Sequence, residues 1–140
     1  MIRPIMTSRI ILARPSADAA PGDESHAQDL LDTFAAHRTE CAGMAANMIG
    51  VLKRIIVFSE GGTASSPARL MYNPELIAQA EPFETEEGCL SLTGTRPTTR
   101  YRRITVRYQD EAWRERTERF SGYTAEIIQH EIDHCSGIVI

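Results

Sequence analysis

The sequence has few cysteines, no excess of basic charge and no long apolar run. Its three cysteines are too few, and odd in number, for a disulfide framework, so in a reducing compartment they can serve as thiolate ligands or small core residues. The net charge of −4 argues against nucleic acid as the main partner, because phosphate binding requires a basic surface. The apolar stretch 51–58 is interrupted by Lys53 and Arg54 and is too short to span a bilayer. We therefore expect neither a nucleic-acid nor a membrane partner.

The start of the chain shows no targeting segment. Residues 1–13 lack the apolar core and the cleavage site of a signal peptide, so we expect a cytoplasmic protein. A length of 140 residues suits a single domain, 1–140, with enough chain to bury a core. The apolar content of 42% and the charged content of 24% are ordinary for a globular protein.

The first half of the chain predicts one helix and one buried strand. A loop rich in Pro, Ala, Gly and Asp leads into a helix that Ser25 could cap and that should end near 38–41. Residues 52–59 are apolar and β-branched, which is typical of a buried strand. The pair Asn73-Pro74 predicts a turn.

The second half predicts a hairpin and a final helix. Apolar and polar residues alternate over 104–108, as in a half-buried strand, and 113–120 is the expected partner across a turn at 109–112. Ser121 is a plausible cap for the last helix, which should end near Gly137. Short strands followed by a buried helix predict an α+β domain, with short antiparallel or mixed sheets packed around the C-terminal helix.

The strongest motif of the sequence lies on that final helix, in His130-Glu131-Ile132-Asp133-His134. Because positions i and i+4 lie one above the other on a helix, both imidazoles can reach one metal ion. Glu131 is next to the first histidine, where a carboxylate can take a proton from a water on the metal. The pattern indicates metal-assisted hydrolysis of an amide-like bond.

A catalytic metal needs a third protein ligand, and the spacing alone does not identify it. His26 and His37 lie on or beside the polar face of the first predicted helix, which favours solvated side chains. Cys135 points about 100° away from His134 around the helix and is predicted to be a small core residue. Nothing near Cys41 marks it as a ligand. Cys89 and several carboxylates remain open alternatives.

The segment around Cys89 carries further signals. In Glu87-Gly88-Cys89-Leu90-Ser91, Gly88 permits a close approach of the backbone, and Glu87 could orient a metal ligand through a hydrogen bond.

Three segments together resemble the three motifs of the peptide deformylase family. The segment 87–91 (EGCLS) resembles the second motif, and 129–134 (QHEIDH) resembles the third. The first motif is present in altered form at 43–50 (GMAANMIG). The motifs occur in the family's order and extend over most of the chain after residue 41, and the first predicted helix also lies where the family has one.

The resemblance implies a metal site and a reaction. It assigns Cys89, His130 and His134 as the ligands of one divalent ion, Fe²⁺ in the cell and replaceable by Zn²⁺ or Ni²⁺. It assigns Glu131 as the general acid and base that acts with a water on the metal. The implied reaction removes formate from N-formyl-methionyl peptides, and the implied partners are N-formylated nascent chains. Such an enzyme takes part in protein biosynthesis.

The first motif departs from the family where an oxyanion is stabilised. The family has a glutamine amide at the position of Met48, whose side chain has no N–H to donate. The second family donor is the backbone N–H after the metal cysteine, which is that of Leu90 here. Loss of one such donor typically costs about 10²–10³ in rate. Asn47 carries an amide, but in an extended segment its side chain would point to the opposite face.

The resemblance also assigns Gly43, Met48, Gly88 and Glu126 to substrate binding. Glu126 lies one turn before His130 on the same helix face, where the family has an aliphatic residue lining the pocket for methionine. A carboxylate there would suit a basic or polar side chain better. Alternatively, Glu126 points outward in the first turn and favours the helix N-terminus.

Two further expectations concern interactions and activity. The chain stops at Ile140 without the C-terminal helix that is linked with ribosome docking in some family members, so the sequence argues against docking of that kind. The main functional hypothesis is a working deformylase-like metallohydrolase. The alternative is a protein of the deformylase fold that binds a metal and peptides with weak or altered activity, for example on a different N-acylated peptide.

Overall fold

The computed structural model of the protein describes residues 1–139, which form α-helices, short 3-10 turns and β-strands. The α-helices are α1 (Arg9–Leu12), α2 (Glu24–Ala36) and α3 (Gly122–Cys135), and 3-10 turns cover Ala46–Ile49 and Glu60–Gly62. The strands are β1 (Gly43–Ala45), β2 (Ile55–Ser59), β3 (Ala68–Cys89), β4 (Leu92–Gln109) and β5 (Glu115–Ser121). Within the described range, every helix is too short or too polar to cross a membrane. The expectation about the chain end at Ile140 lies outside the described residues.

The strands form one sheet in the order β1-β2-β3-β4-β5, and each neighbouring pair is antiparallel. The predicted α+β class is confirmed, but the expected short antiparallel or mixed sheets are a single antiparallel sheet. Two of its strands, β3 and β4, are long and form a ribbon that ends in the turn Leu90-Ser91. Sequence alternation does not reveal the outer part of β3, because 77–82 are exposed and have no apolar face to bury.

β2 is buried on both faces because a helix packs on each side of the sheet. Val57 belongs to a core that includes Phe34 of α2, whereas Ile56 and Phe58 belong to a core that includes Ile128 of α3. Alternate residues of a strand point to opposite faces, so the four apolar side chains of β2 are divided between the two cores. The predicted buried strand is confirmed, although it begins at Ile55 and not at residue 52.

The boundaries of α2 differ from the prediction. Its N-cap residue is Asp23, and Ser25 lies inside the first turn, so the predicted cap is wrong. The Asp23 carboxylate accepts a hydrogen bond from the Ala20 N–H (2.9 Å), which shapes the preceding loop and starts the helix earlier. The helix ends at Ala36, before the predicted region 38–41.

The turn predicted at Asn73-Pro74 is also wrong, because β3 continues through both residues. The chain is only locally distorted there: Asn73 has a φ of 53°, and the pairing with β4 shifts register between Tyr72 and Glu75. Asparagine tolerates this left-handed conformation better than most residues. Its side chain bonds both the N–H (2.7 Å) and the carbonyl oxygen (2.9 Å) of Ala19, which holds the distortion in place.

The predicted hairpin and final helix are present with shifted ends. The turn between β4 and β5 is closed by the Asp110 N–H, which donates to the Arg114 carbonyl (2.9 Å). Trp113 lies in this turn with a φ of 63°, so it does not begin the partner strand as predicted. Ser121 is the N-cap residue of α3, but its side chain makes no capping bond, and the helix ends at Cys135. A single domain spanning 1–140 stays a prediction.

Gln129 attaches α3 to the sheet. Its amide oxygen accepts the Tyr101 N–H (2.9 Å), and its amide nitrogen donates to the carbonyl oxygens of Tyr101 (2.8 Å) and Ala125 (2.9 Å). The side chain is 2% exposed, so these bonds replace the pairing that β4 would otherwise make with another strand. These bonds fix the position of α3 along β4.

Replacing Gln129 by leucine should destabilise the protein. The N–H and the carbonyl of Tyr101 would lose their partner, and an unsatisfied buried polar group costs about 1–3 kcal/mol. We expect Gln129→Leu to lower the free energy of unfolding by about 2–4 kcal/mol in urea denaturation. The matched control is Gln28→Leu at an exposed position of α2, which should change it by less than about 0.5 kcal/mol. Equal effects of the two substitutions would contradict the anchoring role.

Candidate metal centre

The structure brings Cys89, His130 and His134 together between the end of the β3–β4 ribbon and the middle of α3. Their ligand atoms all lie within 4.8 Å of one another. The Nε2 atoms of the two histidines are 3.2 Å apart, because one helical turn separates the residues. The Cys89 sulfur accepts a hydrogen bond from the Ser91 N–H (3.3 Å), which helps to fix its position at the end of the ribbon.

His130 is held by a buried ionic network. Its Nδ1 atom is 2.8 Å from the Glu87 carboxylate. The guanidinium of Arg100 bonds the same carboxylate through Nε and Nη2 (2.7–3.1 Å) and bonds Asp133 through Nη1 (2.6 Å). Burial opposes a charge on His130, but its bonds to Cys89 and Glu87 outweigh this and raise its pKa to about 10. The network leaves Nε2 of His130 to face the other ligand atoms.

His134 has a neutral environment. It is fully buried, and its Nδ1 atom is 3.3 Å from the side-chain oxygen of Asn47. Burial and the nearby His130 lower the pKa of His134 to about 3, so the ring is neutral. A neutral imidazole with one nitrogen hydrogen-bonded presents the other nitrogen as a metal ligand.

Glu131 lies beside the three ligand residues and is buried. Its Oε1 atom has no hydrogen-bond partner among the described residues, and a Cβ built on Gly43 would lie 3.0 Å from its Oε2 atom. Burial raises the pKa of Glu131 to about 7. A carboxyl that titrates near neutral pH can both accept and donate a proton. A larger residue at Gly43 would crowd the side chains of Ile127 (2.9 Å from the built Cβ) and Glu131.

A cavity of about 490 Å³ is lined by two of the three ligand residues, Cys89 and His130, and by Glu131. Its lining includes all the residues predicted for substrate and oxyanion binding: Gly43, Met48, Gly88, Leu90 and Glu126. Glu126 therefore faces this cavity, and the alternative of an outward orientation is wrong. Its pKa is raised to about 7 by burial and by the hydrogen-bonded carboxylate of Glu87. Cys41 also lines the cavity, which its sequence context did not indicate.

Three other candidates for a third ligand, His26, His37 and Cys135, do not line the cavity. His37 pairs with Glu40 (2.8 Å), and His26 lies in the first turn of α2. Cys135 is 6% exposed and packs in the core around α3, as predicted. These residues have structural or surface roles.

Sequence reasoning missed two residues that support the ligands and misjudged a third. Arg100 is in a strand without a motif, and Asp133 carries no signal of its own beyond the helix motif. Asn47 lies in a 3-10 turn and not in an extended segment, so its amide bonds His134 and is not free as an oxyanion donor. The burial of Glu87, which calls for a cationic partner, is visible only in the structure.

The donor set fits a catalytic divalent metal. One thiolate and two imidazoles suit Zn²⁺ and Fe²⁺, whereas Mg²⁺ and Ca²⁺ prefer oxygen ligands. Three protein donors leave a coordination position open, as catalytic sites require. The Oε1 atom of Glu131, which has no hydrogen-bond partner in the part of the chain that the structure describes, would be available to a water bound by such a metal.

Comparison with known proteins gives a consistent result. The family model for polypeptide deformylase matches residues 5–140. A peptide deformylase of Clostridium beijerinckii is 45% identical over 140 residues, which is the full length of both chains. A peptide deformylase of Thermus thermophilus is 36% identical over 141 residues, covering 91% of this chain and 72% of that protein.

Solved structures agree. The crystal structure of a peptide deformylase from Thermus thermophilus has a TM-score of 0.86 at 34% identity and covers 99% of this chain and 84% of its own. A ligand-bound crystal structure of a class I type b peptide deformylase from Acinetobacter baumannii has a TM-score of 0.87 at 27% identity, covering 99% and 96%. The predicted family, fold and hydrolase class are confirmed, and the alternative of a weakly active fold relative is not favoured. The chain belongs to the polypeptide deformylase family.

Proposed function

We propose that this protein removes the formyl group from N-formyl-methionyl peptides at the cavity above α3, with Cys89, His130 and His134 as metal ligands. As a deformylase it is a metal-dependent hydrolase. The observation that supports the assignment of ligands is the convergence of one sulfur and two Nε2 atoms within 4.8 Å beside the unpartnered carboxylate of Glu131.

A divalent metal held by these residues would polarise water and the formyl carbonyl. Glu131 takes a proton from the attacking water on Oε1 and delivers it to the amine that leaves. Its burial suits this role, since a pKa of about 7 allows both transfers near neutral pH. Gly43 leaves the space that the carboxylate needs. Fe²⁺ is the proposed ion in the cell, and Zn²⁺ or Ni²⁺ would bind the same donors.

The formyl oxygen becomes an oxyanion during attack, and Leu90 is the proposed donor to it. Leu90 directly follows Cys89 in the turn of the ribbon and lines the cavity. Met48 lines the same cavity but offers no donor. We infer that the enzyme works with one fewer oxyanion hydrogen bond than relatives with glutamine at this position, and that its turnover is correspondingly slow.

Glu126 and Gly88 complete the proposed substrate site. Gly88 lines the cavity and allows β3 to approach β4 closely, because a Cβ there would lie 3.1 Å from the Gly94 carbonyl oxygen. Glu126 adds an acidic group to the lining, one turn before His130. We propose that it moderates the preference for methionine and favours basic or polar first residues.

The proposed partners are N-formylated nascent peptides in the cytoplasm, and the absence of ribosome docking stays a prediction.

Replacing Glu131 by glutamine should remove proton transfer while keeping the shape of the site. We expect Glu131→Gln, loaded with Fe²⁺ under anaerobic conditions, to release formate from N-formyl-Met peptides about 10²–10⁴-fold more slowly than the wild type. Metal content, measured by elemental analysis, should stay equal to that of the wild type. A variant with normal turnover would exclude Glu131 as the acid and base.

Introducing an amide at Met48 should accelerate the reaction. We expect Met48→Gln to raise kcat for formate release by about 10-fold or more, because one oxyanion donor is worth about 10²–10³ when it is well placed. Met48→Leu is the matched control, since it changes the shape in a similar way without adding a donor. Equal rates for the two variants would contradict the inferred defect, and formate release by neither variant nor the wild type would contradict the proposed reaction.

Replacing Glu126 by isoleucine should shift specificity. We expect the ratio of kcat/KM for N-formyl-Met over N-formyl-Lys peptides to rise by about 10-fold, because the substitution removes a carboxylate and adds apolar surface. Glu126→Gln separates the two causes, since it removes the charge only. An unchanged ratio in the isoleucine variant would exclude Glu126 from the substrate pocket.

A further inference from the structure

Asn47 is a buried polar residue whose amide contacts both the ring and the main chain of one proposed metal ligand, His134. It is 1% exposed and lies in the 3-10 turn Ala46–Ile49. Its side-chain oxygen is 3.3 Å from Nδ1 of His134, and its side-chain nitrogen donates to the His134 carbonyl oxygen (3.0 Å). The same nitrogen is 3.5 Å from the carbonyl oxygen of Leu12, the last residue of α1.

The direction of these bonds determines the protonation pattern of the His134 ring. A carbonyl oxygen cannot donate hydrogen, and the amide nitrogen of Asn47 is already committed to donating to backbone oxygens. The Asn47 oxygen therefore accepts a proton from Nδ1 of His134, which places the lone pair of the neutral ring on Nε2. Nε2 is the atom that faces His130, 3.2 Å away.

The two histidines are thus oriented by hydrogen bonds to different kinds of group. His130 is held by the carboxylate of Glu87, whereas the groups described around His134 offer the uncharged amide of Asn47. Since Asn47 also bonds the main chain of His134, it fixes the ring and the helix backbone as one unit. A hydrophobic residue of similar size would fill the space but would form no hydrogen bond with either Nδ1 or the carbonyl oxygen of His134.

We propose that Asn47 is a positioning residue for the metal centre, which selects the Nδ1-protonated form of His134 and aims its Nε2 atom at the ion. The proposal rests on the assignment of His134 as a ligand in the proposed function. It does not depend on the reaction, because its direct consequence is metal affinity.

The test compares metal binding by purified full-length variants. The dissociation constant for Zn²⁺ is measured by competition with a chromophoric chelator, and the melting temperature of the metal-free protein is measured in parallel. We expect Asn47→Leu to raise the dissociation constant about 10- to 100-fold, as is typical for loss of a group that orients a ligand. Asn47→Asp keeps an acceptor for Nδ1 and should restore the constant to within a few-fold of the wild type.

The control uses a second amide that bonds one other residue through both of its ends, the half-buried Asn73. Asn73 bonds both the N–H and the carbonyl of Ala19 away from the cavity. Asn73→Asp should lower the melting temperature without changing the Zn²⁺ constant. Unaltered Zn²⁺ binding by Asn47→Leu, or equal losses in the Leu and Asp variants, would overturn the proposal.

A second measurement applies if Asn47→Leu does not fold. In ¹⁵N NMR of histidine-labelled, Zn²⁺-loaded wild type, His134 should show a protonated Nδ1 that is protected from exchange with solvent, and Asn47→Asp should retain that signal. A His134 protonated on Nε2 would contradict the proposal. Wild-type protein that binds Zn²⁺ tightly but releases no formate would contradict the proposed reaction and leave the role of Asn47 intact.

Discussion

The ion pair between Glu87 and Arg100 is the interaction on which the site depends. Both side chains are nearly inaccessible to solvent (8% and 5% exposed), so neither charge would be tolerated there without the other. The pair bridges β3 and β4 close to the turn that carries Cys89, and it reaches α3 through His130 and Asp133. A ribbon that is otherwise exposed is thereby fixed against the helix. The position of the sulfur relative to the two imidazoles follows from this contact, more than from the packing of the cores.

The electrostatic environment is uneven across the cavity. On the side of the ribbon, Glu87, Glu126 and Arg100 form a charged cluster, and Glu126 shares a hydrogen bond with Glu87. On the side of the sheet, His134 meets an uncharged amide and apolar surroundings. A charged ligand partner increases the basicity of an imidazole, whereas a neutral one does not. The two histidines of the motif are therefore equivalent in sequence but differ in the electron density they offer to an ion.

The sequence was sufficient to predict the helix motif and the elements with clear periodicity. The i and i+4 spacing of His130 and His134 requires only a helix, and the all-apolar β2 requires only burial. The ribbon was not predictable, because its outer residues have no apolar face and its strength comes from cross-strand pairing. The role of Asn47 depended on whether its segment is extended or turned, and four residues do not decide this. Arg100 became identifiable only when folding placed it beside Glu87.

The location of Cys89 at the end of the ribbon has a consequence for chain topology. Its partners His130 and His134 follow it only after β4, β5 and half of α3, so an ion bound by all three would close this whole stretch into a loop. Closing a loop restricts the unfolded chain, and a ligand that binds only the folded state stabilises that state. The ion would thus act as a reversible cross-link as well as a cofactor. Folding and metal supply would be linked through a single sulfur atom at the end of the ribbon.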